Sequence, residues 1–293
     1  MKNESHTLLV PIDFNEQSMF AMERSYVVAP FLKLNIVLLY VYEETGISAS
    51  LISPEEISKK IQEKLDVLAT EAQKKSGMKV TTVVKKGKVY SQILETSKEV
   101  NASFILMGTN NSSENIRMDK NSIGSNTLKV IRQSKIPVIT INGKKISRFV
   151  HNILLPLDLT KETRQKVTYA IDIAKSFGAR ITVVSVLWSK KDKDTKHELT
   201  QQLKQVQWFI EDAKIKCTSE LIETSGGERM LAPRILKYVE EKGNIDLIMV
   251  MTQQENKLVE FFLGSAAQSI IRMSQVAVMS IIPDEVGNEQ LIF

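Results

Sequence analysis

The chain has 293 residues, a length that suggests about two domains. Hydrophobic residues make up 43% and charged residues 25%, ordinary values for a globular protein in which either half can bury its own core. The net charge is a mild +5, and lysines cluster in short, scattered groups (Lys85-Lys86-Lys88, Lys144-Lys145, Lys190-Lys191-Lys193). With aromatics at only 6%, these read as solvated loops more readily than as the dense basic stripe of a nucleic-acid site, and no nucleic-acid partner is expected.

Residues 7–12 form a continuous apolar run ended by Asp13, the pattern of a strand buried on both faces. Asn15 is suited to cap a helix running to about Leu32. A second buried strand is predicted at 35–41. Pro54 falls near the first turn of a long helix reaching about Lys75, where proline is tolerated. Residues 79–84 read as a third strand, 90–100 as a helix with apolar Ile93, Leu94 and Val100, and 103–107 as a fourth strand. After a polar loop come a helix near 122–133 and a last strand at 137–141.

The second half repeats this order. Residues 8–14, Leu-Leu-Val-Pro-Ile-Asp-Phe, return as 153–159, Ile-Leu-Leu-Pro-Leu-Asp-Leu. Pro11 and Pro156, like Asp13 and Asp158, are 145 residues apart. The register continues through Ala29 and Ala174, Ile36 and Ile181, Val41 and Val186. Further on, Ile93-Leu94 matches Ile235-Leu236, Gly124-Ser125 matches Gly264-Ser265, and Pro137-Val138 matches Ala277-Val278. This is duplication of a whole domain, not a solenoid of short units. The domains are read as residues 1–145 and 148–293, with the polar, basic stretch 142–148 between them.

Strands alternating with helices indicate a parallel sheet covered on both faces. Right-handed crossovers make it a doubly wound, Rossmann-like α/β fold. Ligands in such sheets bind outside the carboxyl ends of the strands, where strand order reverses. That rule selects the turn after the first strand (Pro11, Ile12, Asp13), the end of the second at Val41, and the loop that begins at Met107-Gly108. The loop ends in Gly124-Ser125-Asn126 at a helix start, where free backbone N–H groups favour an anion and Ser125 adds a hydroxyl donor. Glycine there admits close approach and a positive φ. The plainer reading of Gly-Ser is a turn and N-cap.

A strand continuing into Val-Pro-Ile-Asp-Phe (10–14), one ending Met107-Gly108, and Gly124-Ser125 opening the last helix before Ile-Pro-Val (136–138) together resemble the universal stress protein family. The resemblance covers nearly the whole chain, twice, and rests on order and spacing, not on one motif. It implies tandem doubly wound domains, each with a five-stranded parallel sheet, paired through their last strands. That pairing is satisfied as a pseudo-dimer inside one chain or as a homodimer between chains.

Some members of the family bind ATP and others have lost it. The binders carry glycine, two residues, glycine, nine residues, then Gly-Ser/Thr. Gly108 and Gly124-Ser125 match the ends. Asn111 holds the middle position, and twelve residues separate it from Gly124. Asparagine tolerates left-handed backbone, so the loop can still curl. By this resemblance Asp13 lies beside adenosine, the Val41 backbone faces the adenine edge, and Gly108, Gly124 and Ser125 surround the phosphates, with Mg²⁺ alongside. Pro11, Ile12, Met107, Asn111 and Asn126 complete the expected nucleotide site. The competing reading of Asp13 is a strand-ending residue that caps a turn.

The second half has no glycine where Gly108 stands; either Met251 or Thr252 is its counterpart. Glu255 falls near the middle position, where a carboxylate repels phosphate. Leu258, Val259, Phe261, Phe262 and Leu263 suggest packing or an interface. No nucleotide is expected in this domain.

The single cysteine, Cys217, rules out an intrachain disulfide and points to a reducing, cytoplasmic setting. It is expected just before the third strand of the second half, as a small buried residue. The N-terminal residues lack an apolar h-region, so no signal peptide is expected, and no apolar run is long enough to span a membrane. His6, His151 and His197 are dispersed and form no metal or triad pattern. Trp188 and Trp208 flank a charged helix and read as packing groups. There is no Walker-type Gly-Lys-Ser/Thr. Three functions remain: a nucleotide-binding stress-response regulator, an interaction scaffold for an unidentified protein partner, and, last for want of a base or metal cluster, a nucleotide hydrolase.

Overall fold

The computed structural model describes residues 7–43, 53–109, 123–142, 150–157, 163–187, 193–225, 227–251 and 264–281. The chain forms two compact units, Met1–Lys144 and Lys145–Phe293.

In the N-terminal unit β1 (Thr7–Pro11), β2 (Asn35–Tyr42), β3 (Val80–Lys86), β4 (Ala102–Gly108) and β5 (Val138–Ile141) alternate with α1 (Glu16–Leu32), α2 (Pro54–Ser76), α3 (Val89–Glu99) and α4 (Ser125–Gln133). The strands are parallel in the order β3-β2-β1-β4-β5. Right-handed crossovers on that order place α1 and α2 on one face and α3 and α4 on the other. The sheet centre is therefore covered twice, which is why β1 and β2 are continuous apolar runs. Leu8, Leu9, Val10, Ile36, Leu38 and Leu39 are fully buried. Each such side chain contributes about 1.5–3 kcal/mol relative to exposure.

Local chemistry sets the helix ends. The Asn15 side chain accepts the Ser18 amide at the start of α1, and Ser53 accepts the Glu56 amide at the start of α2. α2 stops at Gly77, whose φ of 70 supplies the left-handed cap. α1 runs through Pro30 in its last turn and ends on left-handed Lys33. β3 extends two residues past its predicted end, and α4 opens at Ser125, three residues later than predicted.

The C-terminal unit comprises β6 (Asn152–Pro156), β7 (Arg180–Leu187), β8 (Cys217–Glu223), β9 (Leu247–Met251) and β10 (Ala277–Ile281), with α5 (Thr163–Phe177), α6 (Lys193–Asp212), α7 (Leu231–Lys242) and α8 (Ser265–Met273). Its order, β8-β7-β6-β9-β10, repeats the first sheet. Registers repeat as well. Leu8 pairs with Phe104 as Ile153 pairs with Leu247, and Gly108 pairs with Ile141 as Met251 pairs with Ile281. Met251, not Thr252, is thus the counterpart of Gly108.

Candidate functional site

The strand order reverses between β1 and β4, so the crevice at their carboxyl ends is the position this topology reserves for ligands. Pro11 closes β1, and just beyond it the Ile12 amide bonds the Leu39 carbonyl of β2 at 2.7 Å. Asp13 follows, with an exposed side chain. Its Oδ1 accepts the Asn15 amide at 3.1 Å and its Oδ2 accepts the Asn15 side-chain amide at 2.6 Å. The Asp13 amide donates to Ser18 Oγ at 3.3 Å, and Ser18 Oγ donates to the Asn15 carbonyl at 3.1 Å. Asp13 therefore does cap a turn, while its carboxylate remains at the mouth of the crevice. Val41 lies half-buried near the end of β2.

Met107 is buried and Gly108 ends β4. A Cβ on Gly108 would stand 2.8 Å from the backbone carbonyl carbon of Gln17 and 2.9 Å from its oxygen. The first turn of α1 thus lies directly on Gly108, and packing alone demands glycine there. Beyond it, Thr109 turns inward, its amide bonding the Ile141 carbonyl at 3.1 Å. Its own carbonyl accepts the Gly124 amide at 2.8 Å, and Thr127 Oγ1 donates to the Gly108 carbonyl at 3.3 Å. These bonds seat the start of α4 on the end of β4. Gly124 is the N-cap with φ −59 and ψ 142, backbone any residue adopts, so the positive φ expected of a loop glycine is not used. No side chain caps α4; Ser125 is exposed and Asn126 half-buried in its first turn. Pro11, Ile12, Asp13, Val41, Met107, Gly108, Gly124, Ser125 and Asn126 therefore gather at the carboxyl edge of one sheet. Asn111 lies outside the described residues.

Sequence reasoning passed over Gln17, Ser18 and Tyr40. Gln17 carries no signal in the sequence, because its role is a backbone contact. Tyr40 lies against Phe14, ring centroids 5.0 Å apart. Burial, then the nearby Asp13 carboxylate, pushes the Tyr40 phenol above its usual pKa. Phe14 itself has φ 61.

In the C-terminal unit the Leu157 amide bonds the Val184 carbonyl at 2.8 Å, matching Ile12 and Leu39. Lys166, at the position of buried Ala21, donates its ammonium to the Pro156 carbonyl at the end of β6. Asp158, Glu255 and the apolar run near 258–263 lie outside the described residues. α8 begins, like α4, on a glycine N-cap with no side-chain cap.

The remaining candidates are ordinary or displaced. Cys217 opens β8 instead of preceding it, and burial, reinforced by Glu211, pushes its thiol up to about 12, far from a nucleophile. His197 contacts Gln201 on the surface of α6. Trp208 lies within α6 with 64% of its surface exposed, so it is not the packing group expected, and Trp188 lies outside the described residues. Among the described residues no three His, Cys, Asp or Glu side chains could hold a metal, and no helix is long and apolar enough to cross a membrane.

A five-stranded parallel sheet in this order, with a glycine-capped helix start beside the end of its fourth strand, defines a doubly wound α/β domain, present twice. The sequence model of the Universal stress protein family matches residues 4–142 and again 150–281. The chain belongs to that family. It is 25% identical over 151 residues to a universal stress protein of Methanocaldococcus jannaschii, an alignment covering 47% of this chain and 84% of the relative. The crystal structure of a universal stress protein from Archaeoglobus fulgidus superposes with a TM-score of 0.74 at 23% identity, covering 96% of this chain and 97% of that one. A functionally unknown protein from Pseudomonas aeruginosa gives 0.66 at 16% identity, covering 96% and 94%. These two structures bear on the fold alone.

Proposed function

We propose that the chain is a cytoplasmic stress-response regulator whose N-terminal unit binds an adenine nucleotide, ATP with Mg²⁺, and whose C-terminal unit binds none. The observation that carries this reading is the start of α4. It has no side-chain cap, it is seated on the end of β4 by the bond from Gly124 to Thr109, and it lies at the strand-order reversal flanked by β1, which leads into exposed Asp13. Such a helix start presents unpaired N–H groups and partial positive charge to phosphate. Asp13 and the Val41 backbone are left for adenosine. In the second unit Met251 replaces Gly108, and Lys166 already occupies the strand-end carbonyl.

A second reading, an interaction scaffold without nucleotide, is favoured by one fact. Gly108 is explained by its contact with Gln17, and Gly124 uses no special backbone, so neither glycine requires a phosphate. Calorimetric titration of ATP and ADP with Mg²⁺ decides between them. Binding by the wild type that disappears in Gly124→Asp, which sets a carboxylate at the helix start, supports the nucleotide site. No heat, with an unchanged melting temperature at millimolar nucleotide, leaves the scaffold.

A further inference from the structure

Left-handed backbone is an outlier for a bulky side chain and persists only where the surroundings over-determine it. Phe14 has φ 61, and what holds it is identifiable. Its ring lies 5.0 Å from the Tyr40 ring of β2, tilted by 30°, and the Lys64 ammonium of α2 lies 5.7 Å from its centre. A residue clamped from β2 and α2 thus forms the link between Asp13 and Asn15, which are themselves joined by two hydrogen bonds. Glycine would take this φ without steric strain, so what phenylalanine adds at this position is its ring. The second copy keeps the aspartate, Asp158, but follows it with Leu159 and places Ser185 at the register position of Tyr40. The aspartate is common to both halves and the aromatic pin is particular to the first.

We propose that Phe14, pinned by Tyr40 and Lys64, is a positioning residue that aims the Asp13 carboxylate at the nucleoside portion of the ligand, a role that rests on the nucleotide reading above. Phe14→Leu copies the second half, and Phe14→Tyr keeps the ring. Two readouts are taken on the full chain: affinity for ATP beside inorganic tripolyphosphate, and amide exchange at Asn15 without ligand. Phe14→Leu is expected to weaken ATP about three- to tenfold, the equivalent of one misplaced hydrogen bond, while tripolyphosphate binding holds. Exchange at Asn15 accelerates in Phe14→Leu, and Phe14→Tyr restores both values. Equal loss of ATP and tripolyphosphate, or unchanged ATP affinity, overturns the proposal. A wild type that binds no ATP overturns the nucleotide reading, and the Asn15 amide then decides the pin alone: an unchanged rate in Phe14→Leu overturns it.

Discussion

The two units keep the same sheet order and registers, and differ where the strands end. At the end of β4 stands Gly108, and at the same register position of β9 stands Met251. Beside β1 the helix presents Ala21, and beside β6 it presents Lys166 bonded to the Pro156 carbonyl. Tyr40 becomes Ser185. Core positions on both faces of a sheet are constrained by close packing, so the copies retain them. Strand ends face either a helix start or the crevice, and there the copies have diverged. The difference also separates two meanings of one residue. Gly108 matches a ligand-loop glycine by position, yet the backbone of Gln17 already excludes any Cβ.

The sharpest way to break that comparison is to exchange the strand-end residues. Gly108→Met places the second unit's side chain where α1 lies, and is expected to destabilise the N-terminal unit by about 3 kcal/mol or more through overpacking. Gly108→Ala, whose single Cβ meets immovable backbone, is expected to cost about 1–3 kcal/mol. Denaturant unfolding measures both. An alanine variant as stable as wild type would show that α1 yields easily, and the contact with Gln17 would no longer explain the glycine.

A smaller effect sharpens the comparison at the β1–α1 turn. Asn15→Ala removes the α1 cap and the side-chain contact with Asp13, leaving the backbone one, and Thr160 stands at this position in the second half. The expected loss is about 1–2 kcal/mol, read as a lower unfolding midpoint. Asn15→Thr should recover a good part of it, because threonine is also a competent cap. If alanine and threonine are equivalent, the turn is held by Ser18 and by the Phe14 ring, not by the cap.

The architecture was legible because its signals are local and repeated. Continuous apolar runs, Asn15 and Pro54 at helix starts, and the 145-residue echo of Pro11 and Asp13 each have a physical cause that acts within a few residues. The site was legible only in outline. Its edge follows from topology, but the reason for Gly108 lies in the backbone of Gln17, distant in sequence and silent in residue type. The left-handed Phe14 was hidden for a related reason: nothing in Asp-Phe-Asn reveals a ring wedged against Tyr40. Trp208 was misjudged because burial of an aromatic is a tendency and not a rule; its body lies exposed on α6.

The smallest expected effect distinguishes the outer strands. Glu220 on β8 occupies the register position of Val83 on β3, and it accepts a hydrogen bond from Lys242 at 2.6 Å. Burial alone would raise the Glu220 carboxyl, but the Lys242 hydrogen bond and neighbouring positive charge outweigh it and hold the group below its usual pKa. A carboxyl lowered in the folded state stabilises above its unfolded pKa, and that contribution is lost as pH falls through the folded value. Both side chains are about 40% exposed, so solvent screening limits the pair to about 0.2–1 kcal/mol. Glu220→Gln should therefore unfold slightly earlier than wild type at neutral pH, with the gap closing below the ordinary carboxylate range and narrowing in high salt. Val83→Gln in the first unit should show no such acid dependence, whatever it costs in packing. A Glu220→Gln gap that survives undiminished in acid would mean that shape, not charge, is what the second unit gained on its outer strand.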